Sequence, residues 1–142
     1  MRAFAVKDSY TDSGVDTQIY QVNDFDTNSS YQSVNIGNWD DDVVVTATVT
    51  PDGESIRAIF SLAEEAPSEW ADNAVLVIYD VDGEVKARDG GSYTSDSTYD
   101  YTTDQAYEVE ITVDLSEETY GVRVRPAAGS WTTIATDYAF RI

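Results

Sequence analysis

Between Val109 and Val124 the chain reads VEITVDLSEETYGVRV, with an apolar residue at nearly every second place. Val109, Ile111, Val113 and Leu115 take one side, and Glu110, Thr112 and Asp114 take the other. After a short polar break Tyr120, Val122 and Val124 resume the alternation. A helix brings together residues three and four apart, whereas a strand sends successive side chains to opposite faces. The stretch therefore predicts two antiparallel strands, one face buried and the other lined with carboxylates.

The rest of the chain follows the same rule. No stretch keeps a helical period. Short runs rich in Val, Ile, Thr and Tyr recur between clusters of Gly, Asp, Asn and Ser, the pattern of an all-β, two-sheet antiparallel β-sandwich. Strands are expected over Thr17 to Val22, Val43 to Thr50, Ser55 to Ser61, Ala74 to Asp80, Glu84 to Arg88 and Tyr99 to Thr102. Four more are expected over Ala106 to Asp114, Thr119 to Pro126, Trp131 to Ala135 and Tyr138 to Ile142. PDG at Pro51 to Gly53 and VDGE at Val81 to Glu84 carry hairpin chemistry, since proline presets its backbone angle and glycine accepts positive φ. EEAPSEWADN, Glu64 to Asn73, is the place for a helical turn.

At 142 residues the chain suits one domain with a core that needs no disulfide or metal to hold it. From Asp8 to Asp42 it is polar, with scattered aromatic residues, so residues 1–39 read as an N-terminal arm. The arm carries one or two strands packed on the sandwich of residues 40–142.

The chain has no Cys and no His, which removes thiolate nucleophiles, His-based triads and most transition-metal sites. Its 27 acidic residues face 8 basic ones, only Lys7 and Lys86 being lysine, for a net charge of −19. Such a surface repels nucleic acid and anionic lipid, and it suits concentrated salt, where screening removes the self-repulsion. A haloarchaeal source is the expectation. The start, MRAFAVKDSYTDSG, lacks the apolar run of an export signal, and no segment is long enough to span a bilayer. A soluble, unexported chain is therefore expected.

Three kinds of site were weighed. Glu108, Glu110 and Asp114 share one strand face, and glycosidases pair two carboxylates about 5 to 5.5 Å apart for retention or farther for inversion. Carboxylates on an exposed antiparallel face are nevertheless ordinary, so no catalytic residue is assigned and no enzyme is expected. Asp40, Asp41 and Asp42, and Asp80 with Asp82 beside Gly83, offer oxygen ligands without the spacing of a Ca²⁺ loop. No cofactor is expected, a structural Ca²⁺ being the open alternative. Sugar recognition asks for a flat ring beside polar groups. Trp70, Tyr93 and Trp131 lie in or near loops, with Asn73, Arg88 and Asp89 as polar neighbours, and these six form the candidate carbohydrate site. The bland reading of each ring is a core or loop plug. Asn28-Ser29-Ser30 matches the glycosylation pattern.

The run from Val85 to Ile142 contains an ARxGGSY turn, a YTxxxxYxVxIxVDLxxxTYxVxV strand pair and a closing ATDYAFR strand. On these features it resembles bacterial concanavalin A-like (laminin-G-like) jelly-roll modules that sit beside glycan-active enzymes. DDVVVTATVTPDG and ADNAVLVIYDVDGEV fit the earlier strands of such modules more loosely, so the resemblance covers residues 40–142. It implies a two-sheet jelly roll and a role in carbohydrate binding or surface attachment. It brings no catalytic residue: the glycanase relatives use E-x-D-x-x-E, whose spacing Glu108, Glu110 and Asp114 do not reproduce.

Three functions follow as expectations, in this order. The first is a non-catalytic structural or attachment protein of a halophilic particle surface, such as a virion decoration, turret or fibre protein, localised to that surface. Its partners would be other virion or surface proteins, with homo-oligomers and a cell-surface glycan besides. The second is a free-standing carbohydrate-binding module, and the third a small glycoside hydrolase.

Overall fold

The computed structural model describes residues 2–5, 16–23, 42–51, 58–64 and 70–141. Ten strands follow in chain order: β1 Arg2–Ala5, β2 Asp16–Asn23, β3 Val43–Val49, β4 Ala58–Leu62, β5 Val75–Tyr79, β6 Val85–Asp89, β7 Ser92–Thr94, β8 Tyr107–Asp114, β9 Thr119–Pro126 and β10 Thr132–Ala139. They form a six-stranded sheet in the order β1-β2-β3-β8-β9-β10 and a four-stranded sheet in the order β4-β5-β6-β7. Every pairing is antiparallel except β2 with β3. This is the expected two-sheet β-sandwich, compatible with a jelly roll. No helix among the described residues is long and apolar enough to cross a membrane.

The alternation in sequence becomes the two sides of the larger sheet. Val43, Val45, Ala47 and Val49 of β3 point into the core, as do Val109, Ile111 and Val113 of β8 and Tyr120, Val122 and Val124 of β9. Each aliphatic side chain so buried contributes about 1.5–3 kcal/mol from water exclusion. Facing them are Val75, Val77 and Tyr79 of β5 with Val85 and Ala87 of β6. Tyr120 ties the sheets together, its hydroxyl donating to Leu76 O at 3.3 Å and Arg88 O at 2.5 Å. A second tyrosine group fills the far end: Tyr79 packs edge-on to Tyr101 at 5.2 Å and tilted against Tyr107 at 5.9 Å.

Turn chemistry places three connections as expected. Asp82-Gly83 closes the β5–β6 hairpin, with Gly83 at φ 88° and its N–H donating to Asp80 O at 3.1 Å. Asp114 shapes the β8–β9 turn by accepting from Glu117 N and Ser116 Oγ at 2.9 and 2.8 Å. These bonds, Glu117 N–H first, hold its carboxyl below the usual range. A short 3-10 turn over Trp70–Asp72 occupies the predicted helical position. Asp52 and Gly53 of the PDG segment lie outside the described residues, and the strands on either side, β3 and β4, belong to different sheets. Both edges of β3 are already taken by β2 and β8, so the chain must cross over.

Two other expectations change. Trp131 to Ala135 and Tyr138 to Ile142 are one strand, β10, broken by register shifts between Thr133 and Ala135 and between Ala135 and Tyr138, with Asp137 at φ 52°. A bulge adds a residue and flips the alternation without ending the strand. Tyr99 to Thr102 is no strand but a single bridge, Glu84 to Asp100, flanked by Val85 N donating to Tyr99 O and Tyr101 N donating to Gly83 O, both at 2.9 Å, with the tyrosine rings packed alongside.

Candidate functional site

The outer face of the β8–β9 hairpin carries a paired ladder of charge. The antiparallel register sets Glu110 opposite Arg123 and Glu108 opposite Arg125. Arg123 grips Glu110 with two nitrogens, Nε to Oε1 at 2.6 Å and Nη2 to Oε2 at 2.9 Å. Such forked pairing fixes direction as well as distance. Arg125 Nε donates to Glu108 Oε2 at 2.6 Å, and its Nη2 reaches the same oxygen. On β3, Thr46 lies opposite Glu110 and Thr48 opposite Glu108. Hydroxyls therefore flank the charged rows.

A tight turn then folds an indole back over the arginines. Gly129 N donates to Pro126 O at 2.8 Å, and Ala128 adopts φ 61°. Gly129 is required here, since a Cβ on it would stand 2.5 Å from Pro126 Cγ and 2.8 Å from Cδ. The chain reverses within a few residues and delivers Trp131 beside β9. The ring centroid of Trp131 lies 4.6 Å from Arg123 Cζ and 4.3 Å from Arg125 Cζ, inside the range where a guanidinium is drawn to an aromatic ring. Trp131 is half-buried. The result is a ledge: a ring of fixed orientation, two compensated ion pairs and neighbouring threonines on an open sheet face.

The five predicted binding residues whose side chains are described do not converge. Asn73 is buried, and its Oδ1 accepts from Ser61 Oγ at 2.7 Å. Arg88 Nε donates to Gly90 O at 2.8 Å, with Cζ 5.2 Å from the Tyr93 ring centroid. Asp89 Oδ1 accepts from Ala139 N at 3.0 Å. Arg88, Asp89 and Tyr93 thus brace the β6–β7 hairpin and its junction with β10. Ala139 pairs with Thr119 at one end of β9, whereas Thr132, next to Trp131, pairs with Val124 near the other. At the rise of a strand the two places are about 17 Å apart. The side chain of Trp70 lies outside the described residues.

The carboxylates weighed as metal ligands have other partners. Lys86 Nζ lies against Asp82, 3.3 Å from Asp80 Oδ2 and 3.6 Å from Glu84 Oε2. Asp42 Oδ1 accepts from Leu115 N at 3.2 Å. No group of three or more His, Cys, Asp or Glu among the described residues could hold a metal ion. Asp40, Asp41 and the Asn28 sequon lie outside them.

Sequence reasoning named Trp131 but missed Arg123 and Arg125, and it weighed Glu108 and Glu110 as a carboxylate pair without their arginines. A signal was present: Glu108 and Arg125, like Glu110 and Arg123, stand symmetrically about the turn between Asp114 and Thr119.

Comparison with known proteins gives one informative match. Over 76 residues the chain is 34% identical to a gellan lyase from a Bacillus species, a match covering 53% of this chain and 3% of that much longer protein. No protein-family model matches the chain. No solved structure gives a significant match. The resemblance to concanavalin A-like modules therefore stands at the level of the two-sheet sandwich.

Proposed function

We propose that this chain is a polysaccharide-binding β-sandwich module, which holds a polymer and does not cleave it, and that the Trp131 ledge is its contact surface. The observation that carries this reading is the indole fixed beside Arg123 and Arg125 on an open face. A rigid ring presents apolar area at small entropic cost, and the ion pairs and hydroxyls around it can exchange hydrogen bonds with sugar hydroxyls. The likeness to a small part of a gellan lyase supports a carbohydrate-related role. It also moves the binding module ahead of the particle-surface role. In the same reading, Glu108 and Glu110 serve to orient arginines and take no part in hydrolysis.

The test is affinity electrophoresis through gels containing soluble polysaccharides, with cellulose and chitin pull-downs alongside. The native chain is expected to be retarded by at least one polymer. Trp131→Ala should weaken that retention by about tenfold or more, the scale of a buried aromatic anchor. Retention by none of the polymers, or a Trp131→Ala chain as strongly retained as the native one, would remove the reading.

A further inference from the structure

We infer that the Trp131 ledge takes an uncharged polysaccharide and rejects chains rich in uronic acid. This rests on the ledge being a glycan surface and goes on to name the class of glycan. Arginines near a binding ring would ordinarily suggest an acidic ligand. Here both are already committed. Arg123 gives two nitrogens to Glu110, Arg125 gives Nε and Nη2 to Glu108, and the indole covers both guanidiniums. A planar guanidinium has five N–H groups in a fixed fork. With one edge on a carboxylate and the ring close by, what remains can donate to a hydroxyl. A ligand carboxylate would have to approach beside Glu108 or Glu110 or displace it, and either route sets two anions together.

The surroundings point the same way. Two cations and two carboxylates leave the ledge neutral, and Thr46 and Thr48 on one side and Thr133 on the other, paired with Arg123, add neutral hydroxyls. Lys86 is held among Asp80, Asp82 and Glu84. Beyond the ledge, the net charge of −19 repels a polyanion over a distance of about 10 Å in 0.1 M salt. An uncharged chain meets neither the local nor the long-range barrier.

The experiment compares hydroxyethyl cellulose with polygalacturonate in affinity electrophoresis, at about 0.1 M and about 1 M KCl, where screening lengths are near 10 and 3 Å. The native chain should be retained by the neutral polymer at both salts, with loss of at least tenfold in Trp131→Ala, and should pass polygalacturonate unretarded at low salt. The paired change Glu108→Gln with Glu110→Gln should raise polygalacturonate retention severalfold by freeing the arginines, with circular dichroism unchanged. Preferential retention by polygalacturonate, weakened by salt and by Trp131→Ala, would overturn this inference while leaving the ledge a glycan surface. Retention by neither polymer, if the wider panel above is also blank, overturns both; if that panel holds an uncharged glycan through Trp131, the inference stands.

Discussion

Two charge clusters on this molecule are built from the same kinds of side chain and arrive at opposite roles. On the β5–β6 turn one lysine serves three carboxylates, Asp80, Asp82 and Glu84, and Asp80 also accepts from Val81 N at 2.8 Å. These contacts close a loop of about six residues on itself. On β8–β9 two arginines serve two carboxylates across a flat register, and an indole from outside the hairpin lies against both. The first cluster spends its hydrogen bonds on a turn. The second leaves a ring and uncommitted donors facing outward. In the proposed reading an aromatic neighbour and a flat strand register, and not charge alone, make the second cluster a binding surface.

The largest effect that separates the two is on folding. Lys86 is mostly buried, and its loss removes the ammonium from beside Asp80, also mostly buried. Lys86→Met is expected to cost about 1.5–3 kcal/mol, the range for losing hydrogen bonds to charged groups. Urea denaturation gives the number, and retention by hydroxyethyl cellulose should be unchanged. A variant that unfolds early and also loses the polymer would show that the turn and the ledge are coupled.

Alkaline pH sharpens the contrast. Hydrogen bonding to Asp82, with help from Asp80, raises the Lys86 pKa above its ordinary 10.5. The stabilisation is therefore whole below pH 10.5 and disappears as pH rises through the higher folded value. Burial also pushes Tyr79 well above 10.0, and Tyr99, Tyr120 and Tyr138 upward. Unfolded tyrosines ionise first, so the whole protein loses stability above pH 10. That loss is common to native chain and Lys86→Met, so the stability gap between them should shrink as pH passes 10.5. Denaturation curves of both at pH 8, 10 and 11, values chosen to bracket these ordinary pKa values, measure it. None of these shifted groups lies in the ledge, so the ledge should hold its polymer for as long as the sheet is folded.

How much of this was legible depends on where the information lies. The strands β3, β5, β6, β8 and β9 could be read because their alternation or apolar run is local, and Asp82-Gly83 announced its turn. β7 is three residues, Ser92–Thr94, and exists because Tyr93 pairs with Arg88 across a tight hairpin. Its own sequence is too short to carry a period. β10 was split because Asp137 at positive φ interrupts the alternation that register shifts then absorb. The ledge was half visible. Opposite charges at mirrored positions foretold the ion pairs, but the meeting of Trp131 with Arg123 and Arg125 depends on the reversal at Pro126 to Gly129, where no periodic signal exists.

That reversal is the next place to press. Gly129→Ala puts a methyl into Pro126 and must open the turn. Stability should fall by about 1 kcal/mol, the centre of the range for single substitutions, because the turn is partly exposed. Polymer retention should fall severalfold, since the ring no longer rests against both arginines. In a Trp131→Ala background the same change should leave retention where it already was. A further loss there would mean that Gly129 acts on the surface by a route other than the indole.

The smallest effect concerns the pair that looks strongest. Glu110 and Arg123 meet through a fork at 2.6 and 2.9 Å, yet Arg123 is substantially exposed, and water competes for both partners. A double-mutant cycle of Glu110→Gln and Arg123→Gln should give a coupling of about 0.2–1 kcal/mol, toward the upper end because the geometry is bidentate. In about 1 M KCl it should shrink toward zero, as the screening length falls to about 3 Å. The corresponding cycle for Asp80 and Lys86, both mostly buried, should keep more of its coupling in the same salt. If the two couplings decay alike, the ledge pair is as sheltered as the turn pair. The ion pairs under Trp131 would then hold the sheet together as much as they hold the ring, and the division between a closed cluster and an open one would have to be redrawn at Glu110.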